Sequence, residues 1–137
     1  MKLIKRFALA LPVLALAGCA ALDQVAKDIQ KATAPVMVTE TIPQICQAAK
    51  NNQIQANSNY VGKGLAITGQ VRSVNEGIQP RYRVLLKAGQ VSIHAGTENK
   101  ANVTALSVGK SARASGVITD VSHDFNGCSI SLKDTNF

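Results

Sequence analysis

The sequence contains no tryptophan and only five aromatic side chains among 137 residues, 4% of the chain. Single-stranded nucleic-acid binders stack bases on aromatic platforms, and this chain has few to offer. Tyr60 and Tyr82 fall in phase with apolar neighbours, which leaves Phe125 as the one aromatic in a turn. Cysteines number three, and no pair of ligand residues stands at metal-binding spacing. Neither a G-x-S-x-G nucleophile turn nor a phosphate loop occurs, and Gly62-Lys63-Gly64 is far short of one. The longest apolar run ends at Asp23, too early for the roughly 20 residues of a membrane-spanning helix. Internal repeats and low-complexity segments are also missing. These absences exclude a metal centre of ordinary spacing and leave no catalytic set, so no enzyme and no cofactor is expected.

What the chain does have begins at its start. Lys2, Lys5 and Arg6 precede an apolar stretch from Phe7 to Ala17, which closes on small residues. A basic end, a short apolar core and a small-residue cleavage region make a secretory signal. The tetrapeptide Leu16-Ala17-Gly18-Cys19 is similar to the cleavage box of bacterial lipoproteins. That resemblance implies a signal peptide over 1–18 and removal of the chain before Cys19. The Cys19 thiol would then carry diacylglycerol and the new amino terminus a further acyl chain such as palmitate. Such an anchor holds firmly, because each buried methylene contributes about 0.8 kcal/mol. Ala20 after the cysteine, where an aspartate favours retention at the inner membrane, implies the periplasmic side of the outer membrane.

This reading changes the remaining arithmetic. The formal charge of +7 falls to +4 when Lys2, Lys5 and Arg6 leave, and an exported protein meets little nucleic acid. The residual excess is either a solvated surface or a site for an anionic partner such as lipopolysaccharide, phospholipid headgroups or acidic peptides. Cys46 and Cys128 remain in an oxidising compartment. They are either two buried free thiols or a disulfide, and the compartment favours the disulfide.

Residues 19–40 read as a lipidated tether. Leu22, Val25 and Ile29 have weak helical spacing, and Ala34-Pro35 leads into an extended segment that would hold the domain away from the membrane. Residues 41–137 read as one domain. Thr41 is a plausible N-cap with Pro43 in the first turn, and Ile42, Ile45, Cys46, Ala49, Ala56 and Tyr60 predict one helix. From Gly64 the period changes to two. Strands are expected through Leu65/Ile67/Val71, Tyr82/Val84/Leu86, Val91/Ile93, "SARASGVITDVS" and Cys128/Ile130/Leu132. Gly69 and Gly116 sit in mid-strand, where a small barrel bulges or bends. Between the third and fourth strands, Thr97 can cap a short helix bearing Val103 and Leu106, and Gly109 can end it. Mainly β with α, five strands with a helix between the third and fourth, is the layout of the OB-fold, a Greek-key barrel.

The segments Tyr60-Val61-Gly62-Lys63-Gly64, "AITGQV", "SVGKSARASGVI" and Gly127-Cys128-Ser129-Ile130 resemble the tRNA-anti-like lipoprotein family of periplasmic OB-folds over about residues 41–137. The resemblance implies the fold and leaves the function open, since one fold hosts many functions. OB-folds use the face of the second and third strands. By alternation that face would carry Arg72, Arg81, Arg83 and Lys87, with Phe125 in the last turn, suited to an anionic ligand or to solvent. Asp120, His123 and Asp124 could form an acid–base or metal cluster, but such residues commonly serve turns, and no metal is expected. His94 reads as a surface or edge residue. The expected role is a lipid-anchored, non-enzymatic binding or adaptor module of the bacterial envelope. Its partner would be an envelope protein, a peptide or an anionic glycan, with nucleic acid disfavoured. A protective or structural envelope lipoprotein, acting in stress tolerance or in phage or plasmid exclusion, is the alternative.

Overall fold

The alternation that begins at Gly64 builds a sheet that closes on itself. In the computed structural model, residues 33–137 are described, and a compact unit spans Pro35–Phe137. The signal segment, Cys19 and the Leu22/Val25/Ile29 pattern lie outside the described residues. Within that unit two helices come first, α1 (Ile42–Asn51) and α2 (Gln53–Tyr60). Five strands follow: β1 (Gly64–Glu76), β2 (Tyr82–Ala88), β3 (Val91–Thr97), β4 (Ser111–Asp124) and β5 (Gly127–Asn136). A single turn of helix, α3 (Ala101–Thr104), connects β3 to β4. The strand order β1-β2-β3-β5-β4 closes into a barrel, with β3 and β5 parallel and the other pairs antiparallel. This is the OB-fold. Among the described residues no helix is long and apolar enough to cross a membrane.

One long strand makes the closure possible. The first half of β1 pairs with β4, Gly64 to Gln70 against Val117 to Ser111, and its second half with β2, Gln70 to Glu76 against Lys87 to Tyr82. Gln70 therefore has a partner on both sides. Gly69, just before this handover, has no room for a side chain: a Cβ there would stand 3.0 Å from the Lys87 carbonyl oxygen. The bulge itself falls at Arg72 rather than Gly69, because the register skips one residue between Val71 and Ser73. Gly116 does sit at a register shift, where a Cβ would lie 2.7 Å from the Lys133 carbonyl.

Inward positions fill the barrel with Ile67, Val71, Val84, Leu86, Ile93, Ile118, Val121, Ile130 and Leu132. One side is covered by α1 and α2, which contribute Ile45, Cys46, Ala49, Ala56 and Tyr60 to the same core and pack on β4. Cys46 and Cys128 are joined as a disulfide, tying α1 to β5.

The helical segment differs from the single helix expected. Asn52 adopts an extended conformation (φ −160°, ψ 97°), ends α1 and caps α2 by accepting from the Gln55 N–H at 3.1 Å. Thr41 does start α1, with Gln44 Oε1 accepting from the Thr41 N–H at 2.8 Å. Thr97 is the last residue of β3, paired with Tyr82, and caps no helix. Its hydroxyl accepts from the Asn99 N–H, and Asn99 in turn accepts from Ala101 at the start of α3. Before the helices, Val36 to Val38 bond to Gly64 on both its N–H and C=O, so this segment lies against the start of β1.

Candidate functional site

Tyr82, Val84 and Leu86 point inward, so Arg83, Leu85 and Lys87 must point out. Register then extends the outward positions into rows across the sheet. Asn75, Arg83 and Gly96 form one row, and Ser73, Leu85, His94 and Ser131 form the next. A third consists of Ser111, Gln70, Lys87, Ser92 and Ser129.

The first two rows form the floor of a groove of about 800 Å³. One end is closed by the β1–β2 loop. Gly96 lacks a side chain where Pro80 lies, and a Cβ there would collide with the proline ring. Arg83 is steadied by donating from Nη2 to the Gln79 carbonyl at 3.0 Å, and both residues line the groove. Glu98 at the rim accepts from the Arg81 N–H at 3.2 Å, fixing the loop to the chain after β3. Lys133 and Asp134 complete the wall from β5. Asp134 has a left-handed backbone (φ 51°), a conformation Asp tolerates better than most residues. The register shift between Ser115 and Val117 falls opposite it.

The groove is therefore mixed in character and in charge: cations at Arg83 and Lys133, an imidazole at His94, acids at Glu98 and Asp134, and an otherwise largely apolar lining that includes Leu85 and Pro80. Phe, Tyr and Trp are missing from its lining. Such a surface can hydrogen-bond backbone amides, hydroxyls and carboxylates along an extended ligand.

Of the five ligand-binding residues expected, the structure puts Arg83 in the groove. Arg81 stands in the β1–β2 loop, and Arg72 is the exposed bulge residue beside Ser73. Lys87 belongs to the third row, its Nζ donating to the Gln90 carbonyl and to Ser92 Oγ at 3.1 and 3.0 Å. Phe125 is 97% exposed at the β4–β5 turn, outside the lining. His94 lies in the middle of the floor, and Lys133 and Ser131 join it from β5. Their alternation with Ile93, Ala95, Leu132 and Ile130 was the signal that could have found them.

The Asp120, His123 and Asp124 cluster is drawn into structural contacts. Asp120 Oδ1 accepts from Asn57 Nδ2 at 3.0 Å. Asp124 Oδ1 accepts from the Asn126 N–H at 2.7 Å in the turn, and His123 faces Cys128 in the β4–β5 register. Among the described residues no group of three His, Cys, Asp or Glu side chains could hold a metal ion. Away from the groove, burial pushes the Tyr60 phenol above its ordinary value, with the Glu40 carboxylate adding to the effect. Glu40 itself is held low, chiefly by a hydrogen bond from its own backbone.

No family model and no curated protein matches this chain. Among the solved structures similar to it are the following two. A crystal structure of an aspartyl-tRNA synthetase, so assigned provisionally, from Leishmania major gives a TM-score of 0.37 at 13% identity, covering 83% of this chain and 26% of that one. The crystal structure of a lipoprotein from Klebsiella pneumoniae subsp. pneumoniae, proposed to bind nucleic acid, gives a TM-score of 0.54 at 23% identity. It covers 83% of this chain and 94% of that chain. At that identity the likeness speaks for the fold, and the fold it supports is the one the strand order gives, a closed five-stranded barrel with flanking helices.

Proposed function

We propose that this chain is a lipid-anchored, non-enzymatic binding module of the bacterial cell envelope, whose ligand is an extended peptide segment or an anionic glycan held in the β1–β2–β3–β5 groove. The observation that carries the reading is the groove itself, about 800 Å³ on the face that OB-folds use for ligands. Arg83 and Lys133 supply positive charge, His94 an imidazole, and Ser73, Asn75 and Ser131 supply amide and hydroxyl groups. The anchor is supported by the Leu16-Ala17-Gly18-Cys19 pattern, and an envelope location by the likeness in fold to a lipoprotein.

That neighbour is proposed to bind nucleic acid, which makes single-stranded nucleic acid the second reading. Base stacking on aromatic rings contributes about 1–3 kcal/mol per base, and the groove offers His94 alone as a ring. The peptide or glycan reading is therefore preferred.

The test places a photo-crosslinking residue at Leu85 in cells and compares the adducts with those of an Arg83→Glu/Lys133→Glu variant. The expected result is one dominant envelope adduct that the charge reversals abolish while Cys19-dependent membrane fractionation persists. Adducts unchanged by both reversals would remove the groove from the function.

A further inference from the structure

Two of the cations outside the groove, Arg72 and Lys87, lie close together. Gln70, where β1 passes from β4 to β2, is flanked by Ser111 on one side and Lys87 on the other. Arg72 follows it two residues along β1. Lys110 accepts the Val71 N–H at its carbonyl, and Arg113 pairs with Thr68. Four cations thus surround one uncharged residue, within about 14 Å of one another given a strand spacing of about 4.8 Å and a rise of about 3.3 Å per residue. Their cross-strand partners are amides, hydroxyls or apolar groups. Among the described residues no acid pairs with them: Glu40, Glu76, Glu98, Asp120, Asp124 and Asp134 all lie at other register positions. Lys87 Nζ bonds only neutral oxygens, which leaves its charge intact.

Two further features bear on this face. Gln70 Nε2 donates to the Gly109 carbonyl at 3.0 Å, which pins the α3–β4 connection beside the cluster, and Val108 next to it is 66% exposed. The chain enters the unit along the same strand, since Val36 to Val38 lie against Gly64 at the head of β1, about 20 Å from Gln70 at a rise of about 3.3 Å per residue. The 16 residues from Cys19 to Ala34 reach at most about 55 Å. If Cys19 is acylated, the barrel can touch the surface that holds it.

We infer that Arg72, Lys87, Lys110 and Arg113 form a second surface, distinct from the groove, that docks the barrel on the anionic phospholipid headgroups of its membrane, with Val108 reaching into the interface. The inference rests on the lipid-anchor reading. Charge complementarity selects the partner: unneutralised Lys and Arg near an anionic leaflet each add about fivefold to binding, within the screening length of the medium. Because Arg72 adjoins Ser73, this face and the groove share an edge, so docking would hold the groove near the membrane.

The experiment uses the full lipidated protein on vesicles of phosphatidylcholine, with or without phosphatidylglycerol. Flotation on the neutral vesicles reports the anchor. Amide exchange over residues 108–113 reports the face. The expected result is flotation on both vesicles, with exchange at 108–113 slowed at least about threefold on the anionic ones only. Raised salt or an Arg72→Glu/Lys110→Glu/Arg113→Glu variant should remove that protection. A Lys50→Glu/Lys100→Glu variant, with changes outside the cluster, should keep it. Equal protection on both lipids, retention in the triple variant, or occupation of the face by a single-stranded oligonucleotide while anionic vesicles leave it unprotected would overturn the inference. Failure to float on neutral vesicles counts against the anchor instead, and the face is then judged by whether the protein binds anionic vesicles in a salt-sensitive way.

Discussion

Small residues set the shape of this barrel where two backbones come close. Gly116 shows it most plainly: a Cβ would meet the Lys133 carbonyl at 2.7 Å and Thr135 Oγ1 at 2.8 Å, both on β5. Thr135 is fully buried, and its hydroxyl has no hydrogen-bond partner, while the Lys133 atom is a backbone carbonyl of β5, so the Cβ has no flexible side-chain end to displace. Gly69 is less tight, with Lys87 oxygen at 3.0 Å and Leu86 Cβ at 3.2 Å. Gly116→Ala should therefore destabilise by about 1–3 kcal/mol, the usual cost of overpacking, and Gly69→Ala by less. Urea denaturation of the two variants measures both; an inverted order would mean that β5 yields more readily than β2. At Gly96 the same substitution acts on the site, because the atom displaced is the ring of Pro80 in the loop that closes the groove.

Elements dock through a few polar links as well as through apolar burial. Asn57 on α2 gives Nδ2 to Asp120 and accepts the Val121 N–H at 2.7 Å, so one side chain satisfies β4 where its pairing with β5 slips near Thr119. Asn57→Leu leaves that backbone N–H and the carboxylate without their partner. A loss of about 1–3 kcal/mol is expected, with amide exchange at Val121 accelerated; unchanged exchange there would show that water replaces the side chain at no cost. The strands were legible because inward residues recur every second position, as in Tyr82/Val84/Leu86 and Cys128/Ile130/Leu132. The break at Asn52 was not, because Ile45, Ala49, Ala56 and Tyr60 keep nearly helical spacing across it. Thr97 misled in the same way: a capping residue by type, it is claimed by pairing with Tyr82. Arg83 followed from alternation alone. His94 and Lys133 obey the same alternation, yet what brings them into one groove is the parallel β3–β5 pairing and the bulges at Arg72 and Asp134. Those are contacts between distant segments, and no local pattern records them.

For the whole molecule, the link with the longest reach is the Cys46–Cys128 disulfide, which closes a sequence separation of 82 residues. In the chain-entropy account a loop of this length loses about 4.5 kcal/mol worth of unfolded-state freedom, a large share of the roughly 5–15 kcal/mol that holds a typical domain. Two mechanisms predict different outcomes when it is removed. If the bond mainly restrains the unfolded chain, every amide that exchanges through global unfolding should lose protection together. If it mainly holds α1 against the barrel, α1 should open alone. Ile45 on α1 is fully buried in the core that contains Ile118 and Ile130, and α1 packs on both β4 and β5, so its docking does not depend on the sulfur bridge. A Cys46→Ala/Cys128→Ala variant should therefore unfold cooperatively, about 4 kcal/mol less stable, with α1 and barrel amides shifted alike in native-state exchange. Selective exchange in residues 42–51 with an unshifted barrel would instead make the bond a clasp for α1. It would also mean that a reducing environment could release that helix from β4 and β5 without unfolding the protein.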